Sequence, residues 1–157
     1  MATTSFQGII RSYGGQDRNT TTTPGVVVLS EIISFNAAGS NVAVRVGTSA
    51  TAGKTFVLPT GAVPVSFTVV VASSGSGSTV DIGSTADPDG FFNEVTSVTK
   101  GSINGPNGDL VVAGGITANT EVTASAGVTA GTGTVTGVFT YTVADNAQPG
   151  EAQPELV

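Results

Sequence analysis

Three residue types that carry much of protein chemistry are missing from this sequence, which has no cysteine, no histidine and no tryptophan in 157 residues. Without cysteine there are no disulfide bonds, and without cysteine or histidine there is no ordinary zinc site. Catalytic groups of the Ser-His-Asp and Cys-His kinds need a histidine base, so both are excluded. The catalytic option that remains is a pair of carboxylates.

Charge is also scarce, and this limits the classes of partner. Charged residues make up 10% of the chain, and the formal net charge is −6. Affinity for nucleic acids comes mainly from clustered Lys and Arg. The sequence has only five of these residues, and they are scattered: Arg11, Arg18, Arg45, Lys54 and Lys100. We therefore predict no nucleic-acid partner.

Long apolar runs are missing as well. A membrane-spanning helix needs about 20 predominantly apolar residues, whereas the apolar runs here are only a few residues long. The first residues, MATTSFQG, lack the charged region and the apolar core of a secretory signal. We predict that the chain has no membrane partner and is made in the cytoplasm.

The residues that are abundant favour β-structure. Glycine accounts for 22 of 157 residues, about twice the average share of roughly 7%, and Thr and Val dominate much of the rest. β-Branched side chains pack well on a pleated sheet but lose rotamer freedom in a helix. A chain of this length is one domain by the usual size range. We predict an all-β fold, a single jelly-roll-like β-sandwich.

The segment 65–90 is the predicted centre of this fold. Alternation places four apolar side chains on one face of its first strand: Val65, Phe67, Val69 and Val71. Gly and Ser at 74–77 favour a turn into a second strand at 79–82, so we predict a hairpin. Asp87 can cap a helix, and the proline after it suits a first helical position. This predicts one short helical turn near 87–94.

Further strands are predicted on both sides of this centre. Residues 26–35 are apolar on both faces, so both faces are expected to be covered. In the strand 42–46, Arg45 is expected to face solvent or a partner. Short strands are predicted at 54–58 and 110–113, and a two-stranded ribbon at 121–126 and 134–143. The threonine face of the ribbon is suited to hydroxyl pairs across strands or to a neighbouring subunit.

The two ends of the chain differ from its middle in composition. Residues 1–25 are mostly polar and glycine-rich after a short apolar patch, which predicts an N-terminal arm. Residues 145–157 combine acidic residues and prolines with few apolar side chains, which predicts a flexible acidic C-terminal tail. The β-sandwich domain is therefore placed at 26–144, between extended termini.

One stretch is similar to a phosphate-binding loop. Residues 47–55, GTSATAGKT, have five residues between their glycines where that motif has four. A phosphate-binding loop leads into a helix whose N-terminal amides hold the anion. Pro59 and its β-branched neighbours oppose a helix here, so we interpret the stretch as a connection between strands.

Acidic residues near the predicted helical turn are the second candidate. Asp87 or Asp89 could act with Glu94 as a carboxylate pair of the glycosidase type. Asp87 and Asp89 could instead bind calcium with oxygen atoms supplied by Asn104, Asn107 and Asp109, although the full calcium-loop signature is missing. More simply, the carboxylates supply the negative charge that favours a helix N-terminus. We predict no catalytic residue, no metal site, no cofactor and no enzymatic activity.

Three stretches resemble small virion structural proteins of tailed bacteriophages: FVLPTGAV at 56–63, STVDIGSTADPDGF at 78–91, and the segment from TGTV at 132–135 to Tyr141. In those proteins a strand ending in Leu-Pro, a Gly/Ser hairpin, a strand with Asp-x-Gly, the turn Ala-Asp-Pro-Asp and a closing strand ending near a Tyr recur in this order. The resemblance covers about residues 55–143, and the relatives of this kind are head decoration, or cement, proteins.

The resemblance implies a β-sandwich protein, often trimeric, on the outer surface of the capsid. Its implied partners are the major capsid protein and further copies of itself as a homotrimer, and its implied location is the virion after synthesis in the host cytoplasm. We expect residues 1–25 and 145–157 to contact the capsid, with Arg11 and Arg18 facing acidic patches. The alternative is a head-fibre or tail-associated module that binds host-surface glycans, which the lack of Trp and the presence of only two Tyr make less favourable.

Overall fold

The computed structural model describes residues 26–72, 78–96, 99–112, 116–128 and 130–144. In these ranges the chain forms eleven β-strands and one short helix. In chain order they are β1 (Val26–Asn36), β2 (Val42–Ala43), β3 (Arg45–Val46), β4 (Val57–Leu58), β5 (Val63–Val71), β6 (Thr79–Gly83), β7 (Phe92–Thr96), β8 (Ile103–Asn104), α1 (Asp109–Val112), β9 (Thr120–Glu121), β10 (Thr123–Ala126) and β11 (Thr134–Ala144).

The strands form three antiparallel sheets. Sheet A has the order β3-β1-β11-β5-β8, sheet B has the order β2-β10-β6-β7, and sheet C consists of β4 and β9. Buried residues of all three sheets belong to one core cluster. The predicted all-β, sandwich-like fold is therefore confirmed.

Phenylalanine rings join sheets A and B. The ring of Phe92 in β7 lies 6.4 Å from that of Phe67 in β5 and 5.4 Å from that of Phe139 in β11, measured between centroids. All three side chains are fully buried. Burial of such a side chain contributes about 1.5–3 kcal/mol, and the tilted and edge-on ring contacts add to this. These rings hold the two sheets together.

The predicted hairpin of β5 and β6 is wrong. β5 pairs with β11 and β8 in sheet A, whereas β6 pairs with β10 and β7 in sheet B. Phe67 of β5 and Ile82 of β6 lie in the same buried cluster, so the two strands face each other across the sandwich. The alternating pattern shows which face of a strand is buried. Two strands give the same pattern whether they pair in one sheet or lie in opposite sheets. The connection at 73–77 lies outside the described residues.

The buried face predicted for β5 is correct only in the middle of the strand. Phe67 and Val69 are buried, but Val65 and Val71 are 42% and 52% exposed. The pairing of β5 with β11 shifts register near both ends of β5. A bulge inserts one residue and so changes which side chains face the core, and an alternating pattern does not reveal it.

The predicted ribbon of 121–126 and 134–143 is also wrong, because β10 lies in sheet B and β11 in sheet A. β11 instead pairs with β1 over the whole of both 11-residue strands. The predicted alternation within β11 is correct: Val135 and Phe139 are buried, while Thr140 on the other side is partly exposed. Alternation is a local property of the strand, whereas the choice of partner is not.

A tight turn and a strand replace the helical turn predicted near 87–94. The amide of Gly90 donates to the carbonyl of Asp87 (3.2 Å), which closes a turn. The amide of Phe91 then donates to the carbonyl of Ile82 in β6 (3.0 Å), so the chain joins sheet B and continues as β7. Pairing with β6 therefore uses the backbone groups that a helix would need.

The short helix α1 lies where a strand is predicted at 110–113. Its first turn packs on the preceding segment: the amide of Leu110 donates to the carbonyl of Gly90 (3.0 Å). A Cβ atom on Gly108 would lie 2.2 Å from the carbonyl oxygen of Asp89, so only glycine permits this approach. Among the described residues no helix is long and apolar enough to cross a membrane.

Candidate functional site

The structure brings two of the predicted acidic candidates together. The carboxyl groups of Asp87 and Asp89 lie close enough to share a hydrogen bond when one of them is protonated, and Asp109 of α1 lies near enough to act on Asp87 electrostatically. Partial burial, the hydrogen bond to Asp89 and the two neighbouring negative charges raise the pKa of Asp87 above its usual value of 3.8. Glu94 is not among the groups that shift the pKa of Asp87, and its backbone amide donates to Oδ1 of Asp81 (2.8 Å) in the neighbouring strand. The structure therefore gives no support to a carboxylate pair with Glu94.

The amide side chains considered as oxygen ligands bind the backbone instead. Asn107 accepts a hydrogen bond from the amide of Asn93 (2.7 Å) and donates to the carbonyl of Asn93 (3.0 Å), as a neighbouring strand would. Asn104 donates to the carbonyl of Phe67 (3.2 Å). In the described part of the chain, no group of three or more His, Cys, Asp or Glu side chains could hold a metal ion.

The glycine-rich stretch 47–55 is a connection between strands, as predicted. Gly47 and Gly53 adopt φ angles of 101° and 102°, which favour glycine. The amide of Val46 donates to the carbonyl of Lys54 (2.9 Å) and closes the loop. The chain then continues into β4, so the helix that a phosphate-binding loop requires does not follow.

A surface of aliphatic and hydroxyl-bearing side chains covers the outward side of β1, β11, β5 and β8 in sheet A. Residues paired across strands point to the same side of a sheet, so the register sets out cross-strand rows of side chains. The rows are Val28–Thr142–Val63, Ser30–Thr140–Ser66, Ile32–Val138–Thr68–Ile103 and Ser34–Thr136–Val71. This set of residues is named the outer face.

The aliphatic side chains of the outer face are well exposed. The exposed fractions are 64% for Val28, 49% for Ile32, 43% for Val63, 52% for Val71 and 74% for Ile103. At about 30 Å² per CH₂ group these side chains expose roughly 300 Å² of aliphatic surface. Hydroxyl side chains separate them, and their summed area lies at the lower end of the roughly 300–600 Å² typical of the largest apolar patch on a monomer, which is often functional.

Hydroxyl groups lie between these aliphatic side chains and bind one another. The hydroxyls of Ser30 and Thr140 are 3.1 Å apart, and those of Ser34 and Thr136 are 2.7 Å apart. The Ser34 hydroxyl also donates to the carbonyl of Gly47 (2.7 Å). The threonine face of β11 therefore forms cross-strand hydroxyl pairs, as expected, although the partner strand is β1.

Charge is concentrated on the other side of the sandwich. Of the described charged residues, Arg45 is placed beside the outer face by its pairing with Ser34, and its guanidinium donates to the Thr55 hydroxyl (2.9 Å). Five carboxylates lie on sheet B, its connections and α1: Asp81, Asp87, Asp89, Glu94 and Asp109. The outer face and most of the described carboxylates are thus separated by the core.

A groove lies at one end of the outer face. The loop at 48–51 stands beside sheet A and encloses with it a volume of about 440 Å³. The sheet contributes Ile32, Val70, Val71, Thr134 and Thr136 to the lining. Because the lining is aliphatic and hydroxyl-bearing, without a titratable side chain, the groove suits an apolar group and does not resemble a catalytic pocket.

The sequence contains a signal for this surface but does not identify it. Residues 26–35 are apolar on both faces, and the expectation that both are covered is wrong for the described residues. Ile33 and Phe35 are buried in the core, whereas Val28 and Ile32 are exposed. A strand with two apolar faces but only one covering sheet therefore marks an uncovered apolar surface.

Comparisons with protein-family models, with curated proteins and with solved structures find no match to this chain. The resemblance to bacteriophage decoration proteins therefore stays a prediction. The expected capsid contacts at 1–25, including Arg11 and Arg18, and at 145–157 lie outside the described residues.

Proposed function

We propose that this chain is a non-enzymatic structural protein that decorates the outside of a bacteriophage capsid, binds the major capsid protein and stabilises the head. The observation that carries the proposal is the outer face of sheet A. Its exposed Val and Ile side chains and mutually bonded hydroxyls form an uncharged surface suited to contact between proteins. A catalytic site would instead need convergent polar and titratable groups in a pocket.

The core beneath the outer face suits a mechanical role. Phe67 and Phe139 are paired neighbours on the inner side of sheet A and are fully buried. Both contact Phe92 of sheet B. A surface backed by such packing is already in its binding shape, so little conformational entropy is lost when a partner docks.

The positions of the aromatic side chains favour this function over glycan binding. Small-molecule sites are commonly lined by aromatic side chains beside a few polar groups. Every Phe and Tyr in the described residues is buried: Phe35, Phe56, Phe67, Phe91, Phe92, Phe139 and Tyr141. The described part of the chain thus offers no exposed aromatic platform for a sugar.

Many copies on one lattice would strengthen individually weak contacts. Linked binding events raise the overall affinity by about 10²–10⁴-fold without any new contact. Segments that become ordered on docking can also cover a wide surface, at a cost in entropy. We expect residues 1–25 and 145–157 to act in this way, while the sandwich supplies the stiff body.

Binding to capsids tests the proposal. Capsids of the phage that encodes this chain, assembled without it, are mixed with the purified chain, pelleted and imaged by cryo-EM. We expect co-sedimentation, density on the capsid exterior and a higher temperature of genome release. A chain that stays in the supernatant, with bare capsids in the images, would refute the proposal.

A deletion separates the arm from the sandwich in the same assay. We expect removal of residues 2–20 to weaken co-sedimentation while leaving the β-sheet circular dichroism spectrum intact. Undiminished binding of the folded deletion variant would exclude the arm as a capsid contact and leave the sandwich as the binding element.

A further inference from the structure

We infer that the outer face of sheet A binds the outer face of a second copy of this chain, sheet against sheet. The inference rests on the proposed function and deepens it: on a decorated capsid the outer face joins neighbouring copies of the chain, while residues 1–25 and 145–157 contact the major capsid protein. A surface that binds itself presents the same residues from both copies about a two-fold axis. The contact therefore forms a dimer, in contrast to the homotrimer that the resemblance implies.

Charge is the first reason to choose a second copy as the occupant. Each chain has a formal net charge of −6, so two copies repel each other unless they meet away from their carboxylates. Contact through the outer faces leaves sheet B, which carries Asp81 and Glu94, on the far side of each copy. With packed sheets about 10 Å apart, the two acidic sides lie roughly 30 Å from each other. This is well beyond the screening length of about 8 Å at physiological ionic strength.

Hydrogen bonding is the second reason. The hydroxyl pairs Ser30–Thr140 and Ser34–Thr136 are already formed within the sheet. A covering surface therefore need not supply partners for them. A buried polar group without a partner costs about 1–3 kcal/mol, and these pairs avoid that cost. A second outer face meets this requirement, because its own hydroxyls are paired in the same way and Arg45 at its edge is hydrogen-bonded to Thr55.

The size of the outer face indicates a reversible dimer. Three strands about 4.8 Å apart and about seven residues long, together with the two-residue strand β8 at one edge, cover roughly 370 Å². A standard stable interface buries about 800 Å² per partner, of which about 450–500 Å² is apolar. The outer face exposes roughly 300 Å² of aliphatic surface, which is less than this apolar area of a standard interface. We expect dissociation constants of about 10 μM to 1 mM, with tighter association where a lattice holds copies side by side.

The loop at 48–51 restricts the orientation of the two copies. This loop stands beside the outer face at the end that carries Thr136 and Val71. A two-fold axis parallel to the strands would bring the two loops together, whereas an axis perpendicular to the strands places them at opposite ends. The second arrangement leaves the rows of Val28 and Ile32 free to meet the other copy.

Sedimentation equilibrium of the full chain tests the inference directly. Between about 10 μM and 1 mM, we expect the average mass to rise from that of the 15.4 kDa chain towards twice that value. The variant Val28→Lys/Ile32→Lys places two positive charges on exposed positions of each outer face. We expect its dimer dissociation constant to rise by a factor of roughly 30 or more, because like charges would face each other across the contact.

The matched control is Val57→Lys/Val128→Lys. It makes the same change in net charge at valines that are 42% and 84% exposed and lie outside the outer face. We expect this control to dimerise as the unchanged chain does. Circular dichroism spectra and melting curves establish that each variant is folded.

The outcomes separate this inference from the proposed function. An unchanged chain that is monomeric at about 1 mM, or that forms a trimer, overturns the inference whatever the variants do. Dimerisation that survives Val28→Lys/Ile32→Lys overturns it as well. If a monomeric chain binds capsids and Val28→Lys/Ile32→Lys abolishes this binding, the outer face belongs to the major capsid protein. A dimer that leaves capsids bare supports the inference and refutes the proposed function.

Discussion

Gly137 controls how closely β5 and β11 pack, and replacing it with Ala tests the architecture of sheet A. A Cβ atom at this position would lie 2.4 Å and 2.5 Å from two ring atoms of Phe67 and 2.6 Å from the carbonyl oxygen of Thr68. Carbon atoms in good contact are about 3.5–4.0 Å apart, so the ring must move by roughly 1 Å or more. The carbonyl of Thr68 belongs to the backbone of β5, so it cannot move without displacing that strand.

The expected loss of stability follows from two opposing effects. Overpacking of this kind costs about 1–3 kcal/mol, whereas Ala gains about 0.5–1 kcal/mol over Gly within a strand. We therefore expect Gly137→Ala to lower the free energy of unfolding by about 1–2 kcal/mol. For a domain of this size the melting temperature would fall by roughly 2–8 °C.

Circular dichroism or calorimetry measures this change, because the chain has no Trp for a fluorescence assay. Gly105→Ala is the matched control: a Cβ atom at Gly105 meets nothing within 4 Å. We expect this variant to be as stable as the unchanged chain, or more stable by about 0.4–1 kcal/mol. If Gly137→Ala melts at or above the temperature of the unchanged chain, Phe67 does not lie over Gly137 and this account of sheet A is wrong.

A double variant locates the clash. Phe67→Leu removes ring atoms that the new Cβ would meet, while the Thr68 carbonyl stays in place. We expect Gly137→Ala and Phe67→Leu together to cost at least about 0.5 kcal/mol less than the sum of the single changes. Strict additivity would show that the ring is not the group that is displaced.

Three further substitutions test local features. Ser34→Ala should lower the free energy of unfolding, measured by urea denaturation, by about 1–3 kcal/mol, because it leaves the Thr136 hydroxyl and the Gly47 carbonyl without their partner. The control is Ser30→Ala, in the exposed hydroxyl pair. Equal losses for the two variants would show that burial of the Ser34 pair does not set the cost. Glu94 has a φ angle of 56°, so Glu94→Gly should stabilise the chain by up to about 1 kcal/mol; a clear loss would show that the Glu94 side chain makes contacts that outweigh the strain. Because the pKa of Asp87 is raised in the folded chain, stability falls as the pH rises from the unfolded pKa through the folded one. Asp87→Asn should therefore melt above the unchanged chain at neutral pH, and the difference should disappear under acid conditions below both pKa values; a difference independent of pH would exclude this titration.

The candidate surface could be predicted only in part. The pattern of β11 indicates that its threonines lie opposite its aromatic side chains, and the hydroxyl pairs with Ser30 and Ser34 agree with this. The apolar residues of β1 indicate a strand with two apolar faces. That Val28 and Ile32 stay exposed could not be predicted, because it depends on whether another sheet covers them.

The sequence alone determined that the chain is β-rich and which side chains of β11 and of the middle of β5 face inwards. Alternation follows from the geometry of an extended backbone, so it is local and can be read from neighbouring residues. The tertiary structure decided which strands pair, placing β5 and β6 in opposite sheets and joining β11 to β1. It also decided where bulges turn Val65 and Val71 outwards. These choices depend on contacts between residues far apart in the chain, whose relative free energies no local pattern contains.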